Sequence, residues 1–152
     1  MRRRSGPATR LALAAVLLSL ATAGPAVATD EAGSPAADAV TDGVVVFYFH
    51  GNVRCTTCRT IEAYAHDAIH TGFAGELDDG ALSWRVVNVD EPENEHFVQD
   101  FQLVTRSVVL AELHDGKVVR FTNLDKVWQL VRNRDDFVDY IQNETREFLG
   151  EG

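Results

Sequence analysis

Short runs of β-branched and aromatic residues alternate along the chain with longer stretches whose apolar positions recur at helical spacing. Val44 to Phe49, VVVFYF, is apolar throughout with no polar alternation, the pattern of a central strand covered on both faces. Thr56 to His70 puts Cys58, Ile61, Ala65, Ala68 and Ile69 on one helical face and Arg59, Glu62, His66 and His70 on another, which predicts an amphipathic helix. Gly72 to Gly80 reads as a loop. Leu82 to Val89 predicts a second strand, and Ser83 and Arg85, which interrupt its apolar sets, suit an edge position. Asp90-Glu91-Pro92-Glu93 carries the acids and early proline of a helix start, with Phe97 and Phe101 facing the core. Ser107 to Leu113 and Lys117 to Phe121 predict two further strands. They are joined through His114-Asp115-Gly116, whose Asp-Gly pair tolerates the positive φ of a tight hairpin. Leu124 to Val131 predicts a short helix. Asn133 then caps a last one, with Asp135 and Asp136 in its first turn, a stripe of Phe137, Val138, Ile141, Phe148 and Leu149, and Arg146 near its end.

The order strand, helix, strand, helix, hairpin, helix gives an α/β domain: a parallel βαβ unit followed by an antiparallel hairpin, forming a mixed four-stranded sheet with helices on both faces. Residues 43–152 have the size of one such domain. Residues 1–28 predict a cleaved signal peptide, with Arg2, Arg3 and Arg4 ahead of an apolar run from Leu11 to Ala23 and a small-x-small site at Ala26-Val27-Ala28. That run is shorter than the roughly 20 residues a membrane span needs, so no stable membrane insertion is expected after cleavage. The mature chain is expected to work outside the cytoplasmic membrane, in a periplasm or secreted. Residues 29–42, small and acidic, read as a flexible leader.

Charge narrows the partners. The signal segment removes four arginines and no acids, leaving ten basic residues against 23 acidic ones, a formal net charge of −13. Such a surface repels nucleic acid and anionic lipid.

The candidate chemistry lies in Cys55-Thr56-Thr57-Cys58, at the start of the predicted first helix. These are the only two cysteines in the sequence. A disulfide closing so short a loop removes little entropy from the unfolded chain and is a poor staple, so a chemical use is expected. Outside the cytoplasm such a pair either stays oxidised or is kept reduced by a dedicated electron supply. Cys55, in the first turn, meets unpaired backbone N–H groups and the helix dipole, and Arg54 and Arg59 flank the pair; both effects favour a thiolate. Cys55 is therefore the expected nucleophile. Cys58, one turn further in and less exposed, is expected to resolve the mixed disulfide. The partners are protein thiols or disulfides, and no cofactor is expected beyond the redox-active Cys55–Cys58 disulfide itself.

A CxxC at the helix start of such a βαβ unit resembles the thioredoxin-like superfamily, over nearly all of residues 43–149. Within it, Phe49-His50-Gly51-Asn52 to Cys58, Val87 to Phe97 (VNVDEPENEHF) and Val127-Trp128-Gln129-Leu130-Val131 are similar to the nitrophenyl compound nitroreductase subunit ArsF family. That family is associated with efflux permeases for aromatic arsenicals that resemble membrane thiol-electron carriers, and the resemblance implies a dithiol partner of such a carrier. Three departures from a thioredoxin matter. The intervening pair is Thr-Thr rather than Gly-Pro. No acid lies in the first strand, where thioredoxins bury a proton-transfer group, so His50 is the candidate catalytic proton carrier and Glu62 the second choice; a strand-end histidine with its ring hydrogen-bonded is the plainer reading. No proline lies beyond Pro92, so the position of the usual cis-proline falls to Ser107 or Val108 and is expected to be trans. The loop before the third strand would bring Thr105, Arg106, Ser107 and Val108 opposite the cysteines as a substrate-binding segment, and Arg54, Arg59 and Arg106 would form a basic island.

The main rival is a soft-metal or arsenic(III) site using the same two thiolates. A closed zinc site needs four ligands, which His50 or His96 would have to help supply; His66 and His70 make a second pair at i, i+4. A third reading is an interaction module with an inert disulfide. No glycine-rich nucleotide loop or flavin fingerprint supports a direct nitroreductase.

Overall fold

The computed structural model describes residues 40–150. The signal segment and all but the last three residues of the leader lie outside the described residues. Four strands, β1 (Gly43–His50), β2 (Leu82–Asn88), β3 (Ser107–His114) and β4 (Lys117–Asn123), form one mixed sheet in the order β2-β1-β3-β4. β1 runs parallel to β2 and antiparallel to β3, which is antiparallel to β4. With helices on both faces, this is the layout of a thioredoxin-like α/β domain.

Because β1 is central and its side chains alternate, its apolar run splits between two cores. Val44, Val46 and Tyr48 pack with Ile61, Ala65 and Ile69 of α1 (Thr56–Gly72) and with Phe137 and Ile141 of α5 (Arg134–Leu149). Val45, Phe47 and Phe49 pack on the other face with Phe101, Val109 and Ala111. There the rings of Phe47, Phe49, Phe97 and Phe101 stand 5.2 to 5.9 Å apart, within the range of favourable aromatic packing.

The buried residues of α1, Cys58, Ile61, Ala65, Ala68 and Ile69, are the apolar face seen in the sequence. β2 takes the edge position its polar residues suit. At the hairpin, Asp115 and Gly116 have φ of 52° and 71°, the two positive values a tight two-residue turn requires. Asn133 caps α5 by accepting from the Asp136 N–H.

Several details differ from the sequence reading. The segment 72–80 is not simply a loop: it holds a one-turn helix, α2 (Ala74–Asp78), because the fully buried Phe73 side chain pins the chain where α1 ends. The helix predicted after Asp90 is split into a 3₁₀ turn, Pro92–Asn94, and α3 (His96–Asp100), with Phe101 buried just beyond. The short helix α4 is confined to Val127–Leu130. The end of the leader is held rather than free: the Thr41 carbonyl accepts from the Gly116 N–H at 2.7 Å, and Asp42 meets His114 at 3.1 Å. No helix among the described residues is long and apolar enough to cross a membrane.

Candidate functional site

β1 ends by delivering the chain to a short loop, residues 51–54, and then to the N-terminus of α1, where the two cysteines stand. They form a disulfide, with Cα atoms 5.1 Å apart. Cys55 is the N-cap of α1: its backbone is extended (φ −72°, ψ 163°) and its sulfur accepts from the Cys58 N–H at 3.1 Å. A sulfur thus takes the place that a serine or aspartate oxygen usually fills. Cys55 is exposed and Cys58 is 4% exposed, so the two cysteines of the disulfide differ sharply in access from solvent.

Tyr48 lies beneath the pair. It is fully buried on the α1 side of β1, and its hydroxyl donates to the Cys58 carbonyl at 2.7 Å. Burial pushes its pKa above the ordinary value of 10.0, while the charges of Arg54 and Arg106 pull it partly back. Both guanidiniums are therefore within electrostatic reach of the floor of the site.

Of the predicted basic island, Arg54 is half-buried and ion-paired with Glu62. Arg59 is exposed and borders the same groove along α1. Arg106 crosses from the opposite loop to donate to the Val53 carbonyl at 3.4 Å, tying the two loops around the disulfide together. Its own carbonyl accepts from the Trp128 indole at 3.0 Å, so α4 holds this loop in place. Thr105 is exposed, and its carbonyl accepts from the Ser107 hydroxyl at 2.9 Å. Ser107 and Val108 already belong to the β3 ladder opposite Phe49 and Tyr48; Val108 is fully buried, with its carbonyl accepting from the Leu124 N–H at 2.9 Å. Its side chain faces the core, away from any partner. No cis peptide bond occurs among the described residues.

His50 ends β1 half-buried, with Nδ1 against the Gly51 carbonyl at 3.0 Å, the arrangement of a hydrogen-bonded strand-end histidine. Glu62, the second choice for proton transfer, is committed to Arg54.

Sequence reasoning missed the residues that shape the loop. Gly51 is buried, and a Cβ there would lie 2.6 Å from Asp90 Oδ2 and 3.2 Å from Arg106 Nη2. The bare backbone lets Asp90 accept from the Asn52 N–H at 2.7 Å, while Asn88 donates to the Asn52 side chain at 2.8 Å. Tyr48 was hidden inside an apolar run; the available signal was its hydroxyl, since a buried phenol needs a partner.

Among the described residues, none of the histidines weighed as metal ligands forms a group of three or more converging ligand atoms with the sulfurs. His66 and His70 stack with rings 3.8 Å apart on the outer face of α1, and His96 pairs with Asp100 at 2.7 Å. Among the described residues, the group whose ligand atoms converge is Asp42, His114 and Asp115, exposed beside the β3–β4 turn, at the opposite end of β1 from the disulfide. The Asp42 carboxyl is held below its ordinary pKa, first by the Asp115 backbone N–H.

No family model matches this chain, and no curated protein matches it. Among solved structures it is similar to one described as the structure of a malarial protein, at 14% identity and a TM-score of 0.36, over 61% of this chain and 98% of that one. The chain's own geometry is a CxxC disulfide with one cysteine exposed and the other buried, an arrangement consistent with a redox role.

Proposed function

We propose that this protein is an extracytoplasmic thiol-disulfide oxidoreductase of the thioredoxin-like superfamily, an electron relay that accepts electrons from a membrane thiol-electron carrier. The observation that carries the reading is the placement of the disulfide: Cys55 exposed at the helix N-cap, Cys58 buried one turn behind it. In one direction, a thiolate of a reduced partner attacks Cys55 sulfur and the Cys55–Cys58 bond breaks, leaving Cys58 as the thiolate and then the thiol. A second partner thiol displaces Cys55, giving the partner disulfide and the Cys55–Cys58 dithiol. Two electrons pass to the protein, and the reverse sequence hands them to an oxidised acceptor. Helix N-terminus and neighbouring arginines favour Cys55 as the thiolate. The likeness of the sequence to the nitroreductase subunit family supports a role in delivering electrons rather than in reducing a nitro group directly.

The test is the reduction potential of the pair in glutathione or dithiothreitol buffers, repeated with arsenite and with Zn²⁺. A potential near thioredoxin's roughly −270 mV fits a reductant relay, and one near −120 mV an oxidant of other proteins. Cys58→Ala should trap a partner as a mixed disulfide through Cys55, and Cys55→Ala should not. A pair that exchanges with neither buffer but binds one ion tightly would replace the redox reading with the metalloid one.

A further inference from the structure

Among the described residues three buried side-chain donors lack a hydrogen-bond acceptor, Nε and Nη2 of Arg54 and Nε of Arg106; Nη2 is the atom that meets Glu62 as an ion pair, which leaves the two Nε groups as orphans. Buried polar groups are nearly always paired, so such orphans call for an explanation, and a redox role is among those that can supply one. In the disulfide both sulfurs are neutral and accept hydrogen bonds weakly. Reduction changes that: the S–S bond takes up two electrons from a partner dithiol, which becomes a disulfide, and one proton goes to Cys58. Cys55 is left as a thiolate, a full negative charge on the residue that follows Arg54.

The guanidinium of Arg54 is not wholly free to answer it. It is ion-paired with Glu62, one helical turn beyond Cys58 on α1. Arg59 and His66 line the same groove, and the charges of Arg54 and Arg106 both reach Tyr48. One guanidinium is thus shared between a carboxylate that is always present and a thiolate that appears only on reduction.

We propose that Arg54 is the counter-charge of the Cys55 thiolate and that Glu62 is a positioning residue, which draws part of that charge away and so holds the dithiol less stable than it would otherwise be. This rests on the redox reading above and assigns Glu62 a role as a brake on thiolate formation rather than as a proton carrier.

The experiment uses the full chain and two readouts, the thiolate pKa of Cys55 from ultraviolet absorbance and the equilibrium constant with glutathione. Glu62→Gln should lower the pKa and shift the equilibrium toward the dithiol about three- to tenfold, tenfold being about 30 mV for this two-electron couple. Arg54→Gln should shift both the other way. In the Arg54→Gln background Glu62→Gln should lose most of its effect, and Glu62→Asp, which keeps the charge, should stay near the wild-type values. No shift in Glu62→Gln, a shift of opposite sign, or full additivity of the pair would overturn the proposal while leaving the redox reading intact. A wild-type chain that does not exchange with glutathione at all would sink both.

Discussion

Tyr48→Phe removes one hydroxyl from a fully buried position and leaves the ring in place, so it isolates the bond from Tyr48 to the Cys58 carbonyl. The net worth of such a bond is about 0.5 to 1.5 kcal/mol. The carbonyl belongs to the first turn of α1 and keeps its place in the helical ladder, so no acceptor is stranded and the upper range is not expected. A loss of about 1 kcal/mol in a domain of roughly 100 residues corresponds to about 4 to 8 °C in Tm. The same substitution should flatten the alkaline limb of the stability curve. Burial raises the Tyr48 pKa above its ordinary value of 10.0 in the folded state, so the fold holds the phenol proton more tightly than the unfolded chain does. The stabilisation from that proton is complete below 10.0 and is lost as pH rises through the folded-state pKa. Tyr140, raised to about 12 first by burial and next by Glu144, contributes a second such loss that Tyr48→Phe leaves untouched. Urea unfolding of both proteins at neutral pH and across the alkaline range measures both effects. Equal stability at neutral pH with an unchanged alkaline slope would refute the reasoning.

Three further outcomes follow from the packing and the caps. Phe101→Ala empties a fully buried ring site in the aromatic core and should cost about 3 to 5 kcal/mol in urea unfolding, the largest effect here. Asn133→Ala removes the cap of α5 and should cost about 1 kcal/mol without changing the potential of the cysteine pair, since that helix end holds no part of the site. Gly51→Ala sets a Cβ against the Asp90 carboxylate; it should cost about 1 to 3 kcal/mol and also slow exchange at Cys55, because the loop ahead of it must shift. A stability loss with an unaltered exchange rate would show that the loop does not position Cys55.

The frame was legible because each of its elements is specified locally. The all-apolar run of β1, the stripe of α1 and the Asp-Gly turn each leave one reasonable conformation, and their order leaves few topologies. α2 escaped because it is set by a tertiary anchor, Phe73, and not by any periodicity of its own five residues. The cysteines and their unequal exposure could be read from their position at a helix start. What sequence spacing cannot carry is contact between distant segments: Tyr48 meeting Cys58, Arg106 reaching Val53, Trp128 holding the Arg106 carbonyl, and Gly51 admitting Asp90. Val108 illustrates the same limit. It was expected opposite the cysteines at the end of the loop before β3, and the register of β3 puts its side chain in the core.

The cap of α1 gives the protein an internal reporter. The Cys58 amide proton lies on Cys55 sulfur, the atom whose charge differs between the oxidised and reduced forms. Its chemical shift and its exchange with solvent should therefore follow the state of the pair. A single resonance in a nitrogen-labelled sample would count the fraction reduced during a titration, with no thiol reagent to disturb the equilibrium.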